Sequence, residues 1–195
     1  MSASAERRPA AFIDRDGVIN EERAYVHRVE DFALLPGAIE GLRRLQELGY
    51  ALVVVTNQAG IARGFYDEAA LERLHHHMVE LLEAESVHLN GIRYCPHHPD
   101  GVSATWRMNC DCRKPAPGML LDAARAWSLD LSRSILVGDK RSDVEAGRAA
   151  GVSLCVLVRS GHALAPDDAA NADAVCDDLE AAATWIAAHS DSFCP

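Results

Sequence analysis

The chain has 195 residues, 49% hydrophobic and 25% charged, with a formal net charge of −10 and a sequence pI near 5.3. This length and balance suit one globular domain with a sizeable core and exclude a fibrous or disordered chain. The acidic balance opposes nucleic-acid binding, which needs a basic footprint; a small anionic substrate would need a locally positive site.

Residues 1–9 (MSASAERRP) are polar and read as a disordered leader, without the apolar segment of a signal peptide. Residues 10–190 are expected to form a single domain. The longest apolar runs are strand-length, so no membrane span is expected. The expected compartment is the cytoplasm, and a monomer is expected because no apolar stripe is left over for an interface.

The first element is a short apolar run, Ala10–Ile13, that ends abruptly in Asp14 with Asp16 and Gly17 behind it. This is the pattern of a buried strand delivering two carboxylates to its C-terminal end, where open α/β sheets build their sites. Two such acids suit nucleophilic attack and proton transfer. The same D-x-D-G pattern also occurs in plain turns and opens calcium loops. Residues 21–36 are too long for a tight turn and are expected to fold back over the site, with Arg28 and Glu30 at the surface.

A helix is predicted from Pro36-Gly37 onward, with Ile39, Leu42, Leu45 and Leu48 on one stripe and a stop at Gly49. Ala51–Val55 reads as a buried parallel strand ending in Thr56, Asn57 and Gln58. After a loop at residues 60–65, Asp67 caps a helix running to about Glu85. Its His75, His76 and His77 fan over different faces, which predicts a solvated face and not a metal site. Residues 91–94 form a short third strand, and residues 95–112 lose all periodicity. Pro117 opens a helix with Leu120, Leu121, Ala124 and Trp127 inward. A fourth strand at residues 134–137 ends in Gly138, Asp139 and Lys140. A short helix (residues 143–150), a fifth strand (residues 152–158) and a last helix (residues 178–188) follow. Strands alternating with helices predict a Rossmann-like parallel sheet flanked by helices.

Three strand ends therefore place Asp14 and Asp16, Thr56 and Asn57, and Asp139 on one edge of the sheet, with Lys114 well placed to join them. Acids for a cation, a hydroxyl and an amide for phosphate oxygens, and one fixed positive charge suit phosphoryl transfer, which depends largely on positioning and charge neutralisation. Hard oxygen ligands beside a phosphate favour Mg²⁺.

A second constellation is Cys95-Pro96-His97-His98, then Cys110-Asp111-Cys112. Three thiolates and one imidazole make a closed Cys₃His set suited to structural Zn²⁺, with no open position for catalysis. Such an ion would pin residues 95–112 and hold Arg113 and Lys114 at the site. Either His97 or His98 can complete the set. Cys155 reads as a buried core thiol, and Cys176 and Cys194 have no visible role.

The motifs DRDGVIN, TNQ and GDKRSD resemble those of the haloacid dehalogenase-like phosphatases. With YVH, TNQAGIARG, CPHHP and CDCRKPAPGM, the likeness narrows to the D-glycero-D-manno-heptose 1,7-bisphosphate 7-phosphatases, relatives of the histidinol-phosphate phosphatases. It spans about Ala11 to Arg159. The resemblance implies a haloacid dehalogenase-like core with a minimal loop cap. It implies Asp14 as the nucleophile that forms an aspartyl-phosphate and Asp16 as general acid and base. Thr56 and Lys114 would hold the transferring phosphate. Mg²⁺ would lie on Asp14, the Asp16 carbonyl and Asp139, with Asp143 orienting Lys114 or a Mg²⁺-bound water. Cys95, His97, Cys110 and Cys112 would hold Zn²⁺. The substrate pocket would be lined by Arg15, Glu22, Arg23, Ala24, Tyr25, Asn57, Gln58, Arg113 and Lys140. The implied substrate is a small phosphorylated sugar, in the making of nucleotide-activated heptose for bacterial surface polysaccharide, with no nucleic-acid or membrane partner. Histidinol phosphate or another small phosphomonoester is the alternative substrate. A zinc-stabilised binding module is a remote third reading, and it leaves Asp14, Thr56, Lys114 and Asp139 unexplained.

Overall fold

The computed structural model describes residues 7–189. Six parallel strands form one sheet in the order β3-β2-β1-β4-β5-β6. They are β1 (Ala10–Ile13), β2 (Ala51–Asn57), β3 (Leu89–Cys95), β4 (Ile135–Gly138), β5 (Leu154–Val158) and β6 (Ala174–Cys176). The helices are α1 (Ala38–Glu47), α2 (Glu68–Ala84), α3 (Gly118–Trp127), α4 (Arg141–Ala150) and α5 (Leu179–His189).

Alternation within β1 shows how the sheet acquires two covered faces. Ala11 and Ile13 enter the core beneath α1, α2 and α5, while Ala10 and Phe12 enter the core beneath α3 and α4. Both faces of a parallel strand are thus dry, which is why β1, β2, β4 and β5 read as continuous apolar runs. Burying Phe12 fully stabilises the fold by about 1.5–3 kcal/mol.

The helices follow from local chemistry. The Asp67 side chain accepts the Ala70 N–H at 2.8 Å and caps α2, whose Leu71, Leu74, Met78 and Leu82 are buried at helical spacing. In α1, Leu42 and Leu45 are buried, but Leu48 lies past the last turn as its C-cap and is 40% exposed, so the predicted stripe is one residue shorter. The Asp143 side chain accepts the Lys140 N–H at 3.0 Å at the start of α4.

The predicted strands and helices are all present, with ends shifted by at most two residues. Two expectations need correction. Strand β6 went unpredicted because it is a three-residue, half-buried edge strand with no alternation to read. Residues 8 and 9, placed in the expected leader, carry backbone hydrogen bonds: the Pro9 carbonyl accepts from Ala51 at 2.9 Å, and the Arg8 carbonyl accepts from Asp130 at 2.9 Å. Residues 1–6 and Cys194 lie outside the described residues. Among the described residues, no helix is long and apolar enough to cross a membrane.

Candidate active site

Because β2, β1 and β4 are neighbours, their carboxyl ends open on one cavity of about 640 Å³. Asp14, Asp16, Thr56, Lys114 and Asp143 line it, and Asp139 reaches within 4.8 Å of Asp14 and Asp143. Lys114 is buried at the centre. Its ammonium lies 3.0 Å from Asp14 Oδ1 and 2.5 Å from Asp143 Oδ1, and it donates to the Val55 carbonyl at 2.7 Å. Burial alone would lower the Lys114 pKa; Asp14 and Asp143 together raise it, so the ammonium is a permanent positive charge.

Asp14 Oδ1 accepts both the Lys114 ammonium and the Arg15 N–H, the latter at 2.8 Å. Among the described residues no hydrogen bond falls on its Oδ2. Burial raises the Asp14 pKa to about 6, with Asp143 adding to the rise and Lys114 opposing it. Asp139 is fully buried and also raised, first by burial and then by Asp14. Its Oδ1 has no hydrogen-bond partner. Three buried carboxylates beside the Lys114 and Lys140 ammoniums still leave excess negative charge, and a buried orphan oxygen is costly. An oxygen-seeking divalent cation would relieve both, so Asp14, Asp139 and Asp143 form a set that could hold a metal.

Asp16 is held differently. Its carboxylate takes the Arg15 guanidinium at 2.7 Å, the Asn20 amide at 3.0 Å and the Gln58 amide at 3.1 Å. Burial acts to raise its pKa, but Arg15 and these hydrogen bonds together lower it. Two acids separated by one residue are thus pushed in opposite directions by their surroundings.

Arg15 was expected to line the pocket; instead its side chain is fully buried, gripping Asp16, the Val26 carbonyl at 2.9 Å and His75 Nε2 at 3.2 Å. A charged side chain pointed into a core needs partners, and these satisfy it. Arg23 is also displaced from its expected place: it is exposed, paired with Glu21 and outside the cavity. Asn57 and Gln58 do line the cavity, yet their amides are spent on the protein. Asn57 bonds the N–H and carbonyl of Lys114, both at 3.0 Å. Gln58 donates to Thr56 Oγ1 at 2.8 Å and accepts from the Tyr66 hydroxyl at 2.6 Å. Glu22, Ala24 and Tyr25 of the folded-back loop line the cavity, and so do Arg113 and Lys140. His75 departs from the solvated-face reading, since it is buried against Arg15, whereas His76 is exposed.

The sequence reading missed Arg63, Tyr66, Ser142 and His162 in the lining. The signal for His162 was available, because it follows β5, whose carboxyl end shares the same edge. Arg63 and Tyr66 sit in a loop with no periodicity, and only the fold turns them inward.

Beside this cavity, Cys95, His97, Cys110 and Cys112 converge, with ligand atoms all within 4.8 Å of one another. Cys112 Sγ lies 3.1 Å from Cys95, 3.3 Å from Cys110 and 3.2 Å from His97 Nδ1. A Zn–S bond of about 2.3 Å implies tetrahedral S···S edges of about 3.8 Å, so the four groups could close on one ion with little movement. The hydrogen bond between Cys112 and Cys95 is the chief reason that the Cys112 pKa falls to about 5. His98 stands apart, 3.2 Å from Arg63. Arg113 follows Cys112 directly and reaches the His97 carbonyl at 3.4 Å.

Residues 111–182 match the HAD-hydrolase-like family. The chain is 50% identical to the D-glycero-beta-D-manno-heptose-1,7-bisphosphate 7-phosphatase of Photorhabdus laumondii, over 78% of this chain and 81% of that one. It is 47% identical to the alpha-anomer 7-phosphatase of the same organism, over 78% and 83%. The crystal structure of D,D-heptose 1,7-bisphosphate phosphatase from B. bronchiseptica, complexed with magnesium and phosphate, superimposes with a TM-score of 0.78 at 33% identity, over 93% of this chain and 99% of that one. Identity of this depth along most of both chains, on a shared sheet topology, places the protein: it belongs to the heptose 1,7-bisphosphate 7-phosphatase family of haloacid dehalogenase-like hydrolases.

Proposed function

We propose that the protein is a Mg²⁺-dependent phosphatase that removes the 7-phosphate of D-glycero-D-manno-heptose 1,7-bisphosphate, yielding a sugar 1-phosphate for nucleotide activation. The observation that carries this reading is Lys114, bound between Asp14 and Asp143 in the cavity that Asp16 and Thr56 also line. The names of the relatives supply the substrate class.

In the first half-reaction Asp14 attacks phosphorus. The bond from phosphorus to the sugar oxygen breaks, and that oxygen takes a proton from Asp16, leaving a phosphate ester on Asp14. In the second, Asp16 removes a proton from water and the water oxygen attacks phosphorus. The bond to Asp14 then breaks and inorganic phosphate leaves. Asp16 is a carboxylate in the free site because Arg15 favours that form; the negative charge of an arriving phosphate raises its proton affinity, so it takes up a proton from solvent as substrate binds and gives that proton to the sugar oxygen in the first step. Lys114 and the Thr56 hydroxyl hold the transferring oxygens. Asp14, the Asp16 carbonyl and Asp139 would hold Mg²⁺, with Asp143 orienting Lys114; bound there, the ion neutralises charge on the transferring group. Cys95, His97, Cys110 and Cys112 would hold Zn²⁺ as a brace for the loop that presents Arg113 and Lys114.

Arg63 and Arg113 support a substrate with a second phosphate. Both line the cavity, and neither is paired with a carboxylate among the described residues. In a chain this acidic, two arginines without a carboxylate partner on one pocket suit an anion site beyond the reacting phosphate.

The test is phosphate release with Mg²⁺ from both anomers of heptose 1,7-bisphosphate beside histidinol phosphate. A kcat/KM at least a hundredfold higher for one heptose anomer is expected, with Asp14→Asn at background. Preference for histidinol phosphate would retain the chemistry and replace the substrate.

A further inference from the structure

The turn after β5 touches two strand ends at once. The Ser160 hydroxyl donates to the Gly17 carbonyl at 2.8 Å, inside the turn that carries Asp14 and Asp16. Two residues on, His162 gives two hydrogen bonds to one oxygen of Asp139, from its backbone N–H at 3.1 Å and from Nδ1 at 2.6 Å. Because the acceptor is a carboxylate, Nδ1 carries the proton. Both bonds fall on Oδ2, which leaves Oδ1 as the buried oxygen without a partner.

The packing admits no slack here. A Cβ on Gly161 would stand 2.2 Å from Asp139 Oδ2, and one on Gly17 would stand 2.5 Å from the same atom. Two glycines therefore let backbone close on the carboxylate from both sides. Asp139 is fully buried, whereas the His162 side chain is 45% exposed. The histidine is thus no part of the core; its ring covers the outer side of the acid and lines the cavity.

We propose that His162 is a positioning residue for the cation site. With Ser160 it forms a clip that ties the Asp14–Gly17 turn to the end of β4, holding Asp139 in the rotamer that keeps Oδ2 on His162 and leaves Oδ1 free of protein partners. Partners that orient a metal-ligating side chain are commonly worth 10–100-fold in metal affinity. Here the ligand is a carboxylate on a short side chain whose terminal torsion is soft, so two donors on one oxygen do the orienting. This inference rests on the reading of Asp14 and Asp139 as a Mg²⁺ site.

The experiment is calorimetric titration of the full chain with Mg²⁺ alone, for the wild type, Asp139→Asn, His162→Ala and His162→Asn. Asparagine places an amide N–H where Nδ1 stands. The Mg²⁺ dissociation constant should rise about tenfold in His162→Ala and return to within threefold of wild type in His162→Asn. Turnover by His162→Ala should approach wild type at saturating Mg²⁺, which damage to the fold would not allow. An unchanged dissociation constant in His162→Ala, or binding by His162→Asn as weak as by His162→Ala, would overturn the proposal while wild-type binding left the cation site standing. No binding by the wild type would instead remove the cation site and the proposal with it.

Discussion

Asn57 holds Lys114 by its backbone: the Asn57 amide accepts the Lys114 N–H and donates to the Lys114 carbonyl, both at 3.0 Å. A strand end on one side of the site thus fixes a lysine that lies 57 residues later in the chain. The ammonium can then span Asp14 and Asp143 without choosing among rotamers of a mobile loop.

Removing this grip should therefore act on catalysis more than on binding. Asn57→Ala deletes two hydrogen bonds, each with a net value of about 0.5–1.5 kcal/mol, and leaves two buried backbone groups unpaired. A kcat lowered roughly ten- to a hundredfold is expected, with KM within about threefold of wild type. Steady-state kinetics on heptose 1,7-bisphosphate read the split; a changed KM with intact kcat would return Asn57 to the role of substrate contact.

Arg63 and Arg113 should discriminate between one phosphate and two. A charge-assisted hydrogen bond to phosphate is worth about 1.5–3 kcal/mol, so Arg63→Ala and Arg113→Ala should each raise KM for the bisphosphate by roughly ten- to a hundredfold. Heptose 7-phosphate, lacking the second group, should be hydrolysed by the variants as by the wild type. Equal losses on both substrates would show the arginines acting on the reacting phosphate or on the fold.

The Cys₃His cluster should bind one equivalent of zinc by metal analysis, and Cys112→Ser should bind none. Lys114 follows Cys112 by two residues, so loosening the loop reaches the site directly. Cys112→Ser is expected to lose at least roughly tenfold in kcat and to melt at a lower temperature. A zinc-free wild type of full activity would count against a structural ion.

His75 makes stability depend on pH. Burial, then the charge of Arg15, lowers its pKa from the ordinary 6.5 to about 3. The unfolded chain therefore takes up a proton below pH 6.5 while the folded chain does not until about pH 3. This contribution is fully present above pH 6.5 and is lost as pH falls toward 3, at no more than about 1.4 kcal/mol per pH unit. His75→Gln keeps an acceptor for Arg15 and removes the titration. Urea midpoints measured from pH 7 to pH 4 should fall less steeply for the variant; parallel slopes would mean that His75 titrates normally.

Much of this protein was written locally. The apolar run before Asp14, the continuous ALVVV strand ending at Thr56 and the run before Asp139 announced three strand ends, and in a parallel sheet strand ends share one edge. The Cys95–Cys112 spacing announced a four-ligand cluster. These features are legible because each is a short-range pattern: side-chain period, turn chemistry or ligand spacing. Strand β6 escaped for the converse reason, being too short and too exposed to carry a period.

What the tertiary structure alone decided is the direction in which each polar side chain faces. Arg15 and Asp16 are neighbours in one short motif, yet Arg15 turns into the core and favours the ionised form of Asp16. His97 and His98 are adjacent, and only the path of the loop gives one to the cysteines and the other to Arg63. Asn57 and Gln58 became supports for Lys114 and Thr56, and His162 came to lie on Asp139 from 23 residues away. Sequence by itself determined which chemical groups were available and at which strand ends they emerge. Which of them meet was settled by packing, because a buried polar group takes whatever partner the fold brings within about 3 Å, and that choice depends on every contact around it.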